Sequence, residues 1–322
     1  MEYRKLGKWG TKVSAVGLGS YLTIGYKLDE KTSQQTIARA YDLGVNYFDT
    51  ANAYNFGEAE KVLGRNLKAY PRSSYVLLTK VWAPMGEGPN DSGLSAKHII
   101  EQCEASLKRL DMDYVDIYMF HRPDLDVPLE ESIRAMEDLI RQGKVLYWGV
   151  SEWSSAQMVK ANAVAKQINA RAVAVNQPRY SLLYRYPELD VFPTTAEEGI
   201  GNVVFSPLAH GMLTGKYLPG EEAKAGTRAA DPDQNVIMRN MYWTEENKVK
   251  GQKLVEIAKS MGVSAAQLAI AWCLRRSEVS SVITGATSVS QLEENIEASE
   301  IEIPGDVLKK LDELYPAPKM PS

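Results

Sequence analysis

Residues 98–121, HIIEQCEASLKRLDMDYVDIYMFH, contain the transition that indicates the fold. In the first half an apolar side chain recurs every three or four residues, at Ile99, Cys103, Leu107 and Leu110. That spacing covers one face of a helix with 3.6 residues per turn. The second half, YVDIYMF (114–120), is a run of β-branched and aromatic residues of strand length. A helix followed directly by such a strand is the repeating unit of a parallel α/β sheet.

The same alternation extends along the chain in both directions. Seven further segments have the composition of strands: AVGLGS (15–20), VNYFDT (45–50), YVLLTK (75–80), VLYWGVS (145–151), AVAVNQP (172–178), NVVFSPL (202–208) and SVITGA (281–286). Eight strand and helix pairs in 322 residues favour a closed (β/α)8 TIM barrel over an open doubly wound sheet, although periodicity alone fits both. We therefore predict an α/β fold with one barrel domain over residues 1–322.

The glycine pattern after the first strand also favours the barrel. An open dinucleotide-binding sheet requires G-x-G-x-x-G at that place. Here Gly17 and Gly19 are followed by Leu22 where the third small residue belongs. The open-sheet alternative therefore lacks its phosphate-binding turn.

Local patterns predict where several elements begin. A hydroxyl residue followed three positions later by glutamine is a capping-box pattern for a helix start, and it occurs at Thr32, Ser154, Ser264 and Ser288. Alternating polar and apolar residues in YRKLGKWGTKVSAV (3–16) predict a β-hairpin that can plug the bottom of the barrel. Residues 208–242 form a long loop after the seventh strand, and loops of that length often serve as lids.

The net charge of −4 and the pI of about 5.6 argue against broad attraction to nucleic acid or to an anionic membrane. No apolar run reaches the roughly 18 to 20 residues of a membrane helix, and the segment MEYRKLGKWG (1–10) lacks the apolar core of a signal peptide. The sequence therefore predicts a cytoplasmic protein without membrane insertion.

The cysteines and histidines give no metal signature. Cys103 and Cys273 lie in helix-like segments, so we predict buried apolar side chains rather than a disulfide. The histidines are His98, His121 and His210, and they lack metal-ligand spacing. We expect no metal.

Reactive side chains stand where three consecutive strands end. Asp49 is in the last positions of VNYFDT, Tyr54 lies in the loop after it, Lys80 ends YVLLTK and His121 follows YVDIYMF. Each alone has an ordinary structural interpretation, as a helix cap, a packing group, a solvated lysine or a structural histidine. Their joint placement favours a catalytic site, because parallel barrels carry their sites at the C-terminal ends of the strands.

These segments resemble a known family over nearly the whole chain. DTANAYNFGEAEKVLG (49–64), LLTK (77–80) and DYVDIYMFHRPD (113–124) are similar, in this order, to the aspartate and tyrosine, lysine and histidine motifs of the aldo-keto reductase superfamily. HIIEQCEASLKRLDMDYVDIYMFHRPD (98–124) and YWGVSEWS (147–154) resemble the branch that includes the potassium-channel β subunits and their plant and microbial relatives. The resemblance implies an NADPH-dependent oxidoreductase that converts an aldehyde or ketone to the alcohol.

The resemblance assigns a role to each catalytic candidate, and chemistry supports the assignment. Hydride addition to a carbonyl leaves an alkoxide that must be protonated, whereas a free tyrosine with a pKa near 10 is a weak acid. Tyr54 is the implied general acid, and a charged Lys80 beside it would stabilise the phenolate. Asp49 would keep Lys80 charged, and His121 would donate a hydrogen bond to the carbonyl oxygen.

The resemblance also implies a binding site for NADPH or NADP+ at the strand ends. Its residues are Ser20, Tyr21, Asp49, Ser151, Gln177, Phe205, Ser206, Pro207, Leu208, Gly211, Lys216, Arg228, Gly285, Thr287, Gln291, Glu294 and Asn295. A hydroxyl and an amide at Ser151 and Gln177 can satisfy a carboxamide, and an aromatic ring at Phe205 can cover the nicotinamide. SPLAHGMLTGKY (206–217) resembles the pyrophosphate loop, and ITGATSVSQLEEN (283–295) resembles the adenosine site.

Three positions depart from the pattern common in the family. Many members carry a lysine near the start of the adenosine segment and an arginine at the position of Gln291, both absent here. Positive charge for the 2′-phosphate would then come from Lys216 and Arg228, while Thr287 adds a helix N-terminus. Glu152 stands where the family often has asparagine, so its role is open.

Alternatives remain at this point. A cofactor-sensing regulatory subunit of a channel or other partner is the second hypothesis, although the channel subunits of the family carry asparagine where this chain has His121. A phosphate-binding barrel isomerase is the third, and it lacks an evident carboxylate base. Tyr21, Trp82 and Trp153 either line a carbonyl pocket or pack in the core. The sequence identifies neither the small-molecule carbonyl substrate nor an oligomeric state, and a homo-oligomer is compatible with it.

Overall fold

Eight parallel strands close on themselves as a barrel in the computed structural model, which describes residues 1–319. Two further strands form a separate pair, and the ten strands of these residues are β1 Tyr3–Lys5, β2 Lys12–Ser14, β3 Val16–Gly19, β4 Tyr47–Asp49, β5 Val76–Val81, β6 Val115–Phe120, β7 Val145–Ser151, β8 Val175–Gln177, β9 Gly201–Val204 and β10 Val279–Thr284. The barrel runs from β3 to β10 in chain order, and β10 pairs with β3 through Val282 and Val16. That pairing confirms the predicted (β/α)8 fold and excludes the open sheet.

Helices connect the barrel strands and cover the outside. They are α1 Glu30–Asp42, α2 Glu58–Leu67, α3 Ala96–Leu110, α4 Leu129–Arg141, α5 Ser155–Gln167, α6 Val191–Glu198, α7 Val236–Met241, α8 Glu245–Ser260, α9 Ala265–Leu274, α10 Val289–Glu297 and α11 Gly305–Leu314. The predicted apolar face of α3, including Ile99 and Cys103, is buried as expected. No single helix of residues 1–319 is long and apolar enough to cross a membrane, and the pair α8 and α9, which passes that test together, is bent by 86°.

Side chains alternate between the barrel interior and the helix layer along each strand. In β5, Val76 and Leu78 pack inside with residues of other strands, whereas Leu77 packs in the larger core under the helices. In β6, Ile117 lies inside and Tyr118 outside. This period of two follows from the geometry of a strand, and it determines which side chains reach the cavity at the strand ends.

The predicted N-terminal hairpin is present and closes the N-terminal end of the barrel. β1 and β2 pair antiparallel, and Leu6 and Val13 join the interior cluster. Gly7 has a φ of +55°, and a Cβ there would collide with the carbonyl oxygen of Gly199, so this turn requires glycine. The backbone N–H of Lys8 donates to that same carbonyl oxygen over 3.0 Å.

The predicted helix starts are partly correct. Ser154 and Ser264 form complete capping boxes with the glutamines three residues later. Thr32 is wrong as a cap, because Asp29 caps α1 and its carboxylate accepts the backbone N–H of Thr32. Ser288 does cap α10, yet the Gln291 side chain accepts from the backbone N–H of Thr287 rather than completing the box.

The segment after β9 is more structured than the predicted loop. It contains 3-10 segments at Ala209–Thr214 and Arg228–Ala230, followed by α7. The strand itself ends at Val204, so Phe205 and Ser206 belong to this connection. Ser206, Ala209 and His210 have φ values of +58°, +45° and +57°, which non-glycine residues rarely adopt. Such backbone conformations concentrate at functional sites.

Candidate active site

The alternation inside the barrel brings the predicted catalytic residues into one layer at the C-terminal ends of the strands. Asp49 lies two residues after interior Tyr47, Lys80 two after Leu78, and His121 two after Met119. Ser151 and Gln177 end β7 and β8 and are paired in register. Tyr54 lies in the turn that follows β4.

The Lys80 ammonium group is hydrogen-bonded to both Asp49 and Tyr54. It is completely buried, and its Nζ donates to Asp49 Oδ1 at 2.7 Å, to the Thr50 carbonyl oxygen at 3.0 Å and to the Tyr54 hydroxyl at 3.2 Å. An ammonium group has three N–H donors, so all three are used. Gln177 Nε2 donates to the other carboxylate oxygen of Asp49 at 2.7 Å. The Asp49 charge is thus balanced and hydrogen-bonded on both oxygens.

His121 completes the group from the neighbouring strand. Its ring lies edge-on to the Tyr54 ring, with centroids 5.7 Å apart, and the Tyr21 ring also packs against Tyr54, with centroids 5.0 Å apart. Its Nδ1 is buried without a hydrogen-bond partner among residues 1–319. Tyr54 and His121 therefore present a phenol and an imidazole to the same space.

Burial controls the protonation states of these groups. It raises the pKa of Tyr54 well above its ordinary value, and the charge of Asp49 adds to that effect. It lowers the pKa of His121 well below its ordinary value, with the cations of Lys80 and Arg122 acting in the same direction. Burial also lowers the pKa of Lys80, while Asp49 opposes the change. At neutral pH the phenol is protonated and the imidazole is neutral.

A cavity of about 710 Å³ lies against this layer. Among the predicted site residues it is lined by Tyr21, Asp49, Tyr54, His121, Ser151, Gln177, Phe205, Ser206, Pro207, Leu208, Gly211, Lys216, Arg228, Gly285, Thr287, Gln291, Glu294 and Asn295. Lys80 lies beneath the lining, behind Asp49 and Tyr54. Ser20 does not line it, because its buried hydroxyl donates to Thr50 Oγ1 at 2.9 Å.

Positive charge collects where the connections after β3 and β9 border the cavity. Lys27, Lys216 and Arg228 all line it, and the charges of Arg228 and Lys27 add to burial in lowering the pKa of Lys216. None of the three takes part in an ion pair within residues 1–319. The N-terminus of α10, with Thr287, borders the same cavity. This set of groups fits a phosphorylated ligand.

Four residues of the lining with charged or titratable side chains were not predicted from the sequence: Lys27, Arg122, Arg179 and His210. Arg122 stands next to His121 in the quoted histidine motif, and that adjacency was an available signal. Arg228 Nη1 lies 3.3 Å from His210 Nδ1, a contact that no sequence pattern indicates.

The open question about Glu152 has a structural answer. Its Oε1 accepts the backbone N–H of Arg179 at 2.7 Å, and its Oε2 lies 3.9 Å from the Arg179 guanidinium. Glu152 therefore ties the loop after β7 to the one after β8.

Comparison with known proteins is consistent with this geometry. The model of the Aldo/keto reductase family matches residues 15–316, a range that includes all eight barrel strands and the cavity lining. This chain belongs to the aldo/keto reductase family. Among curated proteins it is 44% identical over 305 residues to a probable voltage-gated potassium channel subunit beta of Arabidopsis thaliana, covering 94% of this chain and 92% of that protein.

Two further relatives carry similar names. A probable voltage-gated potassium channel subunit beta of Oryza sativa subsp. japonica is 43% identical over 94% of this chain and 92% of its own length. A putative one of Schizosaccharomyces pombe is 41% identical over 98% of this chain and 93% of its own length. The resemblance to the channel-subunit branch is confirmed.

Other residues singled out in the sequence of this aldo/keto reductase family member lie outside the cavity. Trp153 is buried and stacks on Phe120 with ring centroids 6.2 Å apart, and neither it nor Trp82 lines the cavity. Both cysteines are buried, as expected. Within residues 1–319 no three histidine, cysteine, aspartate or glutamate side chains are grouped to hold a metal.

Proposed function

We propose that this protein reduces an aldehyde or ketone to the alcohol, with NADPH as the hydride donor and Tyr54 as the proton donor. The observation that carries the proposal is the hydrogen-bonded chain from Asp49 through Lys80 to Tyr54 at the wall of the cavity. These hydrogen bonds place the Lys80 cation beside the Tyr54 phenol, which is the arrangement that proton transfer from tyrosine requires.

The hydrogen-bond directions at Lys80 define what Tyr54 can do. The Tyr54 oxygen accepts a hydrogen bond from Lys80, so its own proton is free for an acceptor in the cavity. When that proton moves to the substrate oxygen, the remaining phenolate lies 3.2 Å from the ammonium group, which stabilises it. Asp49 keeps Lys80 charged despite its burial. Neutral His121 is a hydrogen-bond donor that orients the carbonyl oxygen.

The cofactor proposal rests on the polar and cationic lining. NADPH supplies the hydride for the carbonyl carbon. Ser151 and Gln177 offer a hydroxyl and an amide at the catalytic end, and Phe205 offers an aromatic face. Lys216 and Arg228 have no carboxylate partner in residues 1–319 and would hold phosphate groups. The residues present therefore fit a phosphorylated nicotinamide cofactor.

Replacement of the Tyr54 hydroxyl tests the assignment of the proton donor. Tyr54→Phe should bind NADPH as the wild type does and lose roughly 10² to 10⁴-fold in kcat, because only the transferable proton is removed. Reduction of short aldehydes, ketoses and aromatic aldehydes is followed by loss of NADPH absorbance, and binding by tryptophan fluorescence. Tyr26→Phe, at a tyrosine that does not line the cavity, is the matched control. A Tyr54→Phe enzyme with half the wild-type kcat would refute the assignment.

The names of the relatives favour a second candidate, a regulatory subunit that senses the nicotinamide cofactor for a channel or other partner. The two functions differ in turnover. A reductase should pass through many cycles with a good aldehyde and release NADP+, even if product release is slow. Single-turnover reduction followed by a stable NADP+ complex, with every substrate of the panel, would favour the regulatory function instead.

A further inference from the structure

Arg122 is a charged residue of the cavity that the proposed reaction does not use. It follows His121 directly after β6 and lines the same cavity as Tyr54 and His121. Its positive charge acts on the titration of Tyr54, Lys80 and His121, all in the direction expected of a nearby cation. The guanidinium group therefore lies at the catalytic end of the cavity.

Two hydrogen bonds fix the orientation of Arg122. Its Nη1 donates to the carbonyl oxygen of His121 at 2.5 Å and to Ser151 Oγ at 3.3 Å. A guanidinium group carries five N–H donors in one plane. Within residues 1–319 no acceptor takes a hydrogen bond from Nε or Nη2, which leaves the rest of the planar fork for a ligand.

The charge of Arg122 is not balanced by the protein. The negative charge of Asp49 is already paired with Lys80, and Arg122 itself forms no ion pair within the described residues. Arg179, another arginine of the lining, differs because Glu152 lies 3.9 Å from it. A neutral carbonyl compound would leave the Arg122 cation without a partner in the cavity.

We propose that Arg122 is a specificity residue that binds a carboxylate on the carbonyl substrate, so that the preferred substrates are oxo acids rather than neutral aldehydes or ketones. The planar fork of arginine matches a carboxylate through two parallel N–H···O bonds. With its carboxylate on Arg122, a substrate extends its carbonyl toward Tyr54 and His121. This proposal rests on the proposed reductase function and adds the substrate class to it.

Matched substrates isolate the carboxylate from the rest of the molecule. The pairs are 3-formylbenzoate and 4-formylbenzoate, each against its methyl ester, with NADPH and the complete enzyme. The wild type should prefer the acid of at least one pair by about 10 to 100-fold in kcat/KM, the value of a charge-assisted pair in a partly enclosed site. In Arg122→Gln the ratio of acid to ester should fall to about one, and in Arg122→Lys it should be intermediate.

Arg179→Gln is the control, because it removes a cavity arginine whose charge is already paired; its ratio of acid to ester should equal that of the wild type. Equal rates for acids and esters in the wild type, or an acid preference that persists in Arg122→Gln, would overturn the proposal. The ratio is informative whatever the variant does to absolute rates.

A binding measurement separates failure of this proposal from failure of the reductase function. The ligands are 4-(hydroxymethyl)benzoate and its methyl ester, titrated calorimetrically into the NADP+ complex of each variant. A wild-type preference for the acid of about tenfold or more, abolished in Arg122→Gln, supports the carboxylate site even if no aldehyde is reduced. Equal affinity for acid and ester in the wild type refutes the site, even if aldehydes are reduced.

Discussion

A lysine in the interior of a barrel strand breaks the pattern of its own strand. Val76 and Leu78 are apolar at the two preceding interior positions, and Lys80 follows with no exposed surface. A buried ammonium group is strongly unfavourable unless it is paired and hydrogen-bonded. Here Asp49 supplies the opposite charge and Thr50 a carbonyl oxygen. Burial of this pair is unfavourable for stability, and we propose that the pair is retained because it acts in the reaction.

Arg228 allows a test of the cofactor at the level of one residue. Arg228→Ala should weaken NADPH binding by roughly 10 to 100-fold and leave NADH binding nearly unchanged, because only NADPH carries the 2′-phosphate dianion. Both affinities are measured by tryptophan fluorescence. Lys224→Ala removes a cation of the same segment that lies 3.7 Å from Glu221, and it is the control. An equal loss of both affinities would contradict the phosphate contact.

Strand-end residues could be predicted from the sequence because the barrel geometry is regular. Asp49, Lys80 and His121 continue the interior alternation of their strands, so a correct strand assignment also placed them in one layer. Lys27 and His210 could not be found in this way, because they lie in irregular connections. Ser20 was assigned from resemblance alone. Its hydroxyl is hydrogen-bonded to Thr50, and Ser20 does not line the cavity.

At the scale of elements, strand cores were predictable and element ends were not. All eight barrel strands lie at the predicted places, yet the predicted segment 202–208 overruns β9 by four residues, since β9 ends at Val204. Polar capping patterns are short and occur by chance, so Thr32 fitted one while Asp29 performs the capping. Strand ends and caps depend on which backbone groups find partners in three dimensions, and the local sequence does not contain that information.

The contact between α2 and α3 gives a prediction at this scale. Gly64 is buried in α2, and a Cβ there would collide with the carbonyl oxygen of Leu110 at the end of α3. Gly64→Ala should destabilise the protein by about 1 to 3 kcal/mol through overpacking, although alanine alone would favour the helix by up to about 1 kcal/mol.

Urea unfolding measures the difference. Gly305→Ala is the matched control, because Gly305 is also helical and a Cβ there has nothing within 4 Å. That variant should be neutral or slightly stabilised. Equal stability of the Gly64→Ala variant and the wild type would show that the two helices can move apart at no cost.

On the scale of the whole molecule, the histidines make stability depend on pH. Burial lowers the pKa of His121 well below its ordinary value and that of His210 to about 3, and the pKa of His98 is also lowered. In the unfolded chain a histidine titrates near pH 6.5. Below that pH the unfolded state binds more protons than the folded state, so stability should fall as the pH falls.

Urea unfolding at pH 7.5, 6.5 and 5.5 tests this expectation. The free energy of unfolding should be greatest at pH 7.5 and should decrease toward pH 5.5, where each histidine that remains neutral in the fold removes up to about 1.4 kcal/mol per pH unit. His210→Asn should show a shallower decrease between pH 6.5 and 5.5. Stability that is constant over this range would contradict the assigned protonation states.

The hairpin at the barrel floor has a consequence for biosynthesis. Arg4 donates hydrogen bonds to the carbonyl oxygens of Leu274 and Val279, which lie 270 and 275 residues later in the chain. A ribosome therefore delivers this segment before almost all of the residues that it contacts. Because domains acquire such distant contacts only after their partners have emerged, Leu6 and Val13 stay without their barrel neighbours for most of translation. A chaperone that shields apolar nascent segments would have a long period of access there.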